Sequence, residues 1–169
     1  MTSMNTLQDL FVDQLRDIYS AEEQIVAALP RMERAASDEQ LKAAFRAHLE
    51  QTQMHKRRLE RIFADLSMTP GGKHCKGMEG LIKEGEEVIQ EMADPQVKDA
   101  ALITAAQRVE HYEMAAYGTV RTFANELGFG NIKSTLQETL DEEGATDKKL
   151  TALAEGGLFK TGINMQTRQ

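Results

Sequence analysis

Two acidic residues one helical turn apart, Glu110 and Glu113, lie in a run of small and apolar residues. Residues three positions apart share one face of an α-helix. Two carboxylates on an apolar face are costly to bury unless a cation compensates for their lost hydration. The pair therefore predicts a metal ion or a buried basic side chain beside it. The apolar residues of this face are Leu102, Ala106, Val109, Tyr117, Val120 and Leu127.

Each of the other predicted long helices also carries polar residues on its apolar stripe. The second helix is the richest, with His48, Thr52 and His55 at helical spacing. Carboxylates combined with one or two imidazoles suit iron or manganese, and helical bundles hold such metals with ligands from facing helices. The absence of thiolates among these residues disfavours structural zinc. The candidate metal ligands are Glu22, His48, His55, Glu110, Glu113, Glu143 and Asp147.

Two features of this set weaken the prediction of a complete two-metal site. The full pattern would place Glu-x-x-His on both the second and the fourth long helix. Here the second helix has Thr52 in the place of the acid before His55, and the fourth has Glu143 followed by Asp147 with no histidine. Such a site could hold one metal well and a second poorly. His48, one turn before Thr52, could compensate, and which of these three residues contributes is left open.

Each candidate also has a simpler explanation. A single glutamate on an apolar stripe usually lies at its edge, with the carboxylate reaching water. A lone buried histidine more often bonds a neighbour than a metal. Because all four long helices carry such residues near their middles, the metal interpretation is favoured.

The elements that must position these residues are helices. The chain has no tryptophan and three prolines, and β-branched residues never alternate over the length of a strand, which is typical of an all-α protein. Ser37 with Gln40 predicts the cap of the second helix. The predicted elements are long helices at about 6–36, 37–66, 94–127 and 131–155, a loop and crossover at 67–95 with a short helix at 78–92, and a flexible tail at 162–169.

This order predicts one domain over residues 1–169 with a ferritin-like four-helix bundle. Short links join the helices within each half, whereas the long crossover joins the halves and carries the extra helix. A long crossover in a bundle makes the second and third long helices parallel, as in ferritin-like folds.

Composition also limits the partners. The net charge of −7 argues against nucleic acid as a partner, because phosphate binding requires a concentrated basic face. The single cysteine, Cys75, excludes an intramolecular disulfide and CxxC modules. No apolar run is long enough for a bilayer, and the first residues lack the features of a signal peptide. We therefore expect a cytoplasmic protein with no membrane partner.

Six segments in chain order carry a resemblance to a known family. They are Tyr19–Glu22, His48–Thr52, Met78–Ile82, Asp99–Ile103, Val109–Glu113 with Tyr117–Thr119, and Thr139–Glu143 with Ala145–Asp147. Through them the chain resembles the YciE/YciF family of bacterial stress-associated, ferritin-like proteins. The resemblance implies a rubrerythrin-like bundle, a homodimer and a di-iron centre in which the third long helix supplies two acids, as Glu110 and Glu113 would.

Two functions follow, and whether the chain is an enzyme stays open between them. The first is a non-haem di-iron carboxylate protein of the stress response that reduces peroxide or oxidises ferrous iron. It would hold two irons per chain if the site is complete, with manganese as the alternative metal. Its electrons would come from an external donor, because no rubredoxin-type cysteines are present. The second is a non-enzymatic structural protein that acts through assembly and has a structural or vestigial metal, which Thr52 favours.

Overall fold

The computed structural model of the chain describes residues 4–157 and 160–167. These residues form a helical bundle followed by a two-residue antiparallel pairing of short strands. No helix among the described residues is long and apolar enough to cross a membrane. The elements are α1 (Leu7–Ala35), α2 (Glu39–Asp65), α3 (Lys76–Gln90), α4 (Pro95–Glu126), α5 (Gly130–Glu155), β1 (Gly156–Gly157), β2 (Lys160–Thr161) and α6 (Ile163–Gln166).

The helix ends follow local sequence signals, with one correction. Thr6 and Asp9 form a reciprocal capping box at the start of α1. The cap predicted at Ser37 is wrong by one residue, because Asp38 accepts hydrogen bonds from the backbone amides of Gln40 and Leu41 at 2.8 and 2.9 Å. The Ser37 hydroxyl instead donates to a carboxylate of another helix, a partner that local sequence does not reveal.

Contacts at the two ends of α1 define the topology. The ring of Phe11, near the start of α1, lies 6.0 Å from that of Phe129, just after α4. Ser37, just after α1, bonds Asp99 in the first turns of α4. Helices α1 and α4 are therefore antiparallel. Because α2 turns back from α1 through a short link, α2 and α4 are parallel, which confirms the ferritin-like arrangement predicted from the crossover.

The apolar core is divided into two clusters. One cluster includes Phe11, Leu15 and Phe63 toward the start of α1, and the other includes Leu29, Phe45 and Leu102 toward its end. Every one of these side chains is at most 4 % exposed. Between the clusters, at the middle of the long helices, lies a layer of buried polar residues, so the fold surrounds that layer with apolar packing on both sides.

The crossover is anchored through Cys75. Its side chain is fully buried, and its sulfur accepts from the backbone amide of Met78 at the start of α3. Its backbone amide donates to the Ser20 hydroxyl of α1 at 3.0 Å, and its sulfur lies 3.0 Å from the Tyr112 hydroxyl of α4. Cys75 thus joins three helices as part of the core.

The tail contains one buried apolar residue. Ile163, the first residue of α6, is 4 % exposed and belongs to the apolar cluster that contains Phe45, whereas residues 164–166 are exposed. The flexibility of the segment from 162 onward stays a prediction. Residues 168–169 lie outside the described residues.

One buried carboxylate holds the turn between α1 and α2. Asp99 is 2 % exposed and accepts hydrogen bonds from the amides of Ser37 and Asp38, at 2.7 and 2.8 Å, and from the Ser37 hydroxyl at 2.5 Å. We expect Asp99→Ala to lower the free energy of unfolding by about 1–3 kcal/mol, because three donors at the α1–α2 turn lose their buried acceptor. Urea unfolding measures this loss. Asp141→Ala, at an exposed site of α5, is the control, and an equal loss in both variants would contradict the role of Asp99.

Candidate metal centre

The layer between the two apolar clusters consists of buried polar side chains from all four long helices. Each polar residue shares the buried face of its helix with apolar residues one turn away. Glu22, for example, lies between Ile18 and Ile25 on the buried face of α1. None is more than 4 % exposed. The layer contains Glu22 of α1, His48, Thr52 and His55 of α2, Glu110 and Glu113 of α4, and Glu143 of α5.

Most polar atoms of this layer have no hydrogen-bond partner among the described residues. Nine buried oxygen and nitrogen atoms of the layer are in this state. Both carboxylate oxygens of Glu113 and of Glu143 and both ring nitrogens of His48 belong to them. Folded proteins leave only a few buried polar groups unpaired per hundred residues. Nine in one layer is far above this frequency, and the residues that carry them are of the types that could hold a metal ion.

The unpaired atoms converge in two groups that share one residue. In the first group, His48, Glu110, Glu113 and Glu143 each offer a ligand atom, and these atoms lie within 4.8 Å of one another. In the second group, Glu22 and His55 meet Glu143 in the same way. Glu143 is common to both groups, so its carboxylate could serve a metal ion in either group.

Individual distances show ligand atoms facing one another. His48 Nε2 lies 3.1 Å from Glu110 Oε1, and His55 Nδ1 lies 2.8 Å from Glu143 Oε1. Neither histidine nitrogen has hydrogen-bond geometry to a partner among the described residues. Short distances between two ligand atoms, without hydrogen-bond geometry, are expected when both atoms point toward a shared ion rather than toward each other. The donor set of the layer therefore fits a carboxylate-rich di-metal centre.

Outer residues orient the second group. His55 Nε2 donates to Glu142 Oε2 at 2.7 Å, and Arg58 binds both oxygens of Glu142, at 2.6 and 3.0 Å. The Arg58 guanidinium lowers the pKa of Glu142, so this carboxylate remains an acceptor. Because Nε2 carries the donated proton, Nδ1 of His55 is the nitrogen free for a metal, as in carboxylate–histidine–metal arrangements. On the other side of this group, the Tyr117 hydroxyl donates to Glu22 Oε1.

The electrostatics of the layer reflect uncompensated burial. Burial, reinforced by the charge of Glu143, raises the pKa values of Glu110 and Glu113 well above the usual carboxyl value. Burial likewise raises the pKa of Glu22 to about 8. Burial alone would lower the pKa of His55. The carboxylates of Glu143 and Glu22 have the larger opposite effect, and they raise the pKa of this imidazole to about 9. Without a metal, the layer therefore holds protons that a cation would displace.

Comparisons with known proteins agree with this geometry. Residues 6–162 match the family model described as domain of unknown function DUF892. Protein YciF of Escherichia coli K12 is 45 % identical over 163 residues, which cover 96 % of this chain and 98 % of YciF. The chain belongs to the YciF family. Membership confirms the resemblance found in the sequence.

Solved structures extend the agreement to the fold. The crystal structure of the E. coli stress protein YciF matches with a TM-score of 0.89 at 44 % identity, over 98 % of this chain and 100 % of that one. YcfI from Rhodopseudomonas palustris, described as a candidate structural protein, matches with a TM-score of 0.88 at 44 % identity, over 90 % and 98 % of the two chains. A Xanthomonas campestris protein with 18 % identity and a TM-score of 0.69, covering 86 % and 89 %, shares the fold. The YciF family is thus an all-α bundle in which this chain's polar layer is embedded.

Six of the seven ligands predicted for this YciF-family chain lie in the two groups. The exception is Asp147, whose Oδ1 accepts from Gln107 at 3.2 Å and lies 3.2 Å from His111 Nε2. Its side chain is 19 % exposed. Four residues advance a helix by more than one full turn, so Asp147 is rotated from Glu143 toward the α4 side of α5.

The question left open on α2 also has an answer. Both histidines point their unpaired nitrogens into the layer. The Thr52 hydroxyl donates to the carbonyl of His48 at 2.8 Å, within its own helix. Thr52 therefore offers no free atom to the layer, whereas His48, one turn earlier, could supply a metal ligand.

The predicted ligand set omitted the residues that orient His55. Glu142 lies in one of the segments that carry the family resemblance, but neither Glu142 nor Arg58 was predicted to contribute to the site. A signal was present, because Arg58 follows His55 by three residues and so shares its helix face. What could not be anticipated is that α5 brings Glu142 against both of them.

The raised carboxyl pKa values predict a pH dependence of the metal-free protein. A raised folded-state pKa stabilises the fold below the unfolded-state pKa, and this contribution is lost as the pH rises through the folded-state value. Wild type should therefore lose stability relative to Glu113→Gln as the pH is raised from about 5 to about 8, because burial raises the pKa of Glu113 well above its usual value. The stability gap should widen by up to about 1.4 kcal/mol per pH unit, which is the limit for one proton.

Urea unfolding of the chelator-treated chain across this pH range measures the difference. Glu126→Gln, at an exposed site of the same helix, should show no comparable pH-dependent difference. A stability gap between wild type and Glu113→Gln that is constant with pH would contradict the prediction.

Proposed function

We propose that this chain is a di-iron carboxylate protein of the bacterial stress response that oxidises ferrous iron or reduces peroxide. The observation that supports this best is the convergence of nine unpaired buried atoms into two groups that share Glu143. A similarity to a stress protein supports the physiological setting.

The two groups differ in the number of ligands that they offer. The His48 group has three carboxylates and one imidazole, whereas the group with Glu22 and His55 has two carboxylates and one imidazole. We therefore expect the first to bind its metal more tightly. Oxygen-rich sites with imidazole suit iron, and manganese is the alternative metal.

If these residues hold two ferrous ions, their oxidation to ferric would supply two electrons, which with two protons would convert dioxygen to hydrogen peroxide or hydrogen peroxide to two waters. The chain's own residues supply positioning. Arg58 and Glu142 hold His55, Tyr117 holds Glu22, and the apolar clusters on both sides exclude water. An external electron donor would return the metals to the ferrous state, and we expect the working form to be a homodimer.

A structural role is the alternative function, and two observations favour it. Thr52 stands buried where an acid would complete the second group, and its hydroxyl bonds its own helix. The relative YcfI is described as a candidate structural protein. In this case the metal would stabilise the bundle, and the chain would act through assembly without turnover.

Iron titration of the chelator-treated protein under anaerobic conditions tests the proposal. We expect two ferrous ions per wild-type chain and consumption of dioxygen or peroxide on exposure. Glu143→Gln should lower the affinity of both groups by at least about tenfold, because it removes one charged ligand from each. Asp141→Asn, exposed on the same helix, should bind and react like wild type.

The outcomes separate the two functions. Binding of iron with a raised melting temperature but no consumption of either oxidant would favour the structural role. Failure to bind iron or manganese, with a melting temperature unchanged by either metal, would refute both proposed uses of the layer.

A further inference from the structure

A small cavity adjoins the first ligand group. Its volume is about 40 Å³. His48 and Glu110 contribute to its wall, and both are at least nine-tenths buried with unpaired atoms among the described residues. The rest of the wall is mostly apolar and comes from α1, α2, α3, α4 and α5, with small residues at Ala28, Ala44, Gly85 and Ala106. The cavity exists because small residues occupy positions where larger ones would close the core.

The size and the lining of the cavity restrict what it can hold. A water-sized sphere requires roughly 10–15 Å³ by this measure, so the space corresponds to about three such spheres. Apolar cavities of this kind stay dry and accept apolar gases or small apolar molecules. A polar molecule would lose its hydrogen bonds with water on entering.

The outer end of the cavity reaches charged residues near the surface. Arg31 of α1 and Glu86 of α3 line it and form an ion pair at 2.5 Å, with side chains 45 % and 35 % exposed. Such a partly exposed pair is worth little energy, so it does not close the opening firmly. The cavity thus extends from a partly exposed ion pair to His48 and Glu110.

We propose that this cavity delivers and holds dioxygen beside His48 and Glu110, which makes dioxygen rather than hydrogen peroxide the oxidant of the centre. The inference rests on the proposed function. Dioxygen has no hydrogen bonds to lose and fits a space of two or three heavy atoms. Hydrogen peroxide could hydrogen-bond to His48 and Glu110 at the inner end, but it would leave its hydroxyl groups unsatisfied along the apolar stretch between them and the surface. Two electrons from two ferrous ions and two protons would then convert dioxygen to hydrogen peroxide.

Xenon tests the cavity independently of any metal. Chelator-treated crystals of the full chain under xenon pressure should show a xenon atom between Gly85 and the His48–Glu110 pair. Ala28→Leu and Gly85→Ala reduce the space, and Gly85 has room for a methyl group because its nearest contact would be Ala105 Cβ at 3.9 Å. We expect weaker xenon occupancy in both.

Ala27→Leu and Gly80→Ala, at exposed sites on the same two helices, are the matched controls. Xenon absent from the wild-type cavity would overturn the proposal.

The choice of oxidant is tested on iron-loaded protein. Ala28→Leu should slow oxidation by dioxygen by about tenfold, equivalent to about 1.4 kcal/mol in the barrier, and leave oxidation by hydrogen peroxide within about twofold. Gly85→Ala, which adds only one methyl group, should slow oxidation by dioxygen by a smaller factor. This second variant keeps the test valid if Ala28→Leu does not fold. Iron stoichiometry should be unchanged in both.

Each alternative result has a definite meaning. Equal slowing with both oxidants, or slowing with peroxide alone, would refute selective delivery of dioxygen. If xenon binds in wild type but iron reacts with neither oxidant, the proposed function fails while the cavity remains a site for apolar gases. If iron reacts with dioxygen at the same rate in all variants, the function stands and the cavity is not its path.

Discussion

The burial of four carboxylates and two imidazoles across the middle of one apolar core is the constraint on which this structure depends. Glu22, Glu110, Glu113 and Glu143 are at most 1 % exposed, and most of their outer oxygens bond nothing among the described residues. A protein interior does not tolerate several uncompensated charges, so it either retains protons or binds cations. The pKa values of three of these acids are raised, which is the first response. The convergence of the carboxylate and imidazole atoms in two groups suits the second response, which is the binding of cations.

The rest of the fold supports this costly layer. Apolar clusters above and below it supply the free energy of burial, and the parallel helices α2 and α4 bring His48 beside Glu110. Asp99 fastens the α1–α2 turn to α4, and Cys75 attaches the crossover to α1 and α4. These anchors lie outside the layer, yet they limit how far the helices that carry the ligands can move relative to one another.

The two sides of the layer differ in a way that relates to chemistry. On the side of the second group, charged and polar residues such as Arg58, Glu142 and Tyr117 orient the ligands. On the side of the first group, small apolar residues leave a cavity against His48 and Glu110. One group is therefore held by hydrogen bonds, and the other opens to a space that suits a small apolar molecule.

Much of this protein was determined by its sequence alone. Helical periodicity placed the long helices within a few residues of their observed ends, and the crossover implied parallel α2 and α4. Polar residues on apolar stripes marked seven candidate ligands, of which six converge in the structure. Periodicity assigns a residue to a face of its own helix but does not describe how the helices are rotated against each other. That rotation was decided only in the tertiary structure. It turned Asp147 toward Gln107, placed Glu142 against His55 and Arg58, and made Glu143 common to both groups. The partners of Ser37 and Ile163 were beyond prediction for the same reason, since each is supplied by a helix distant in the chain.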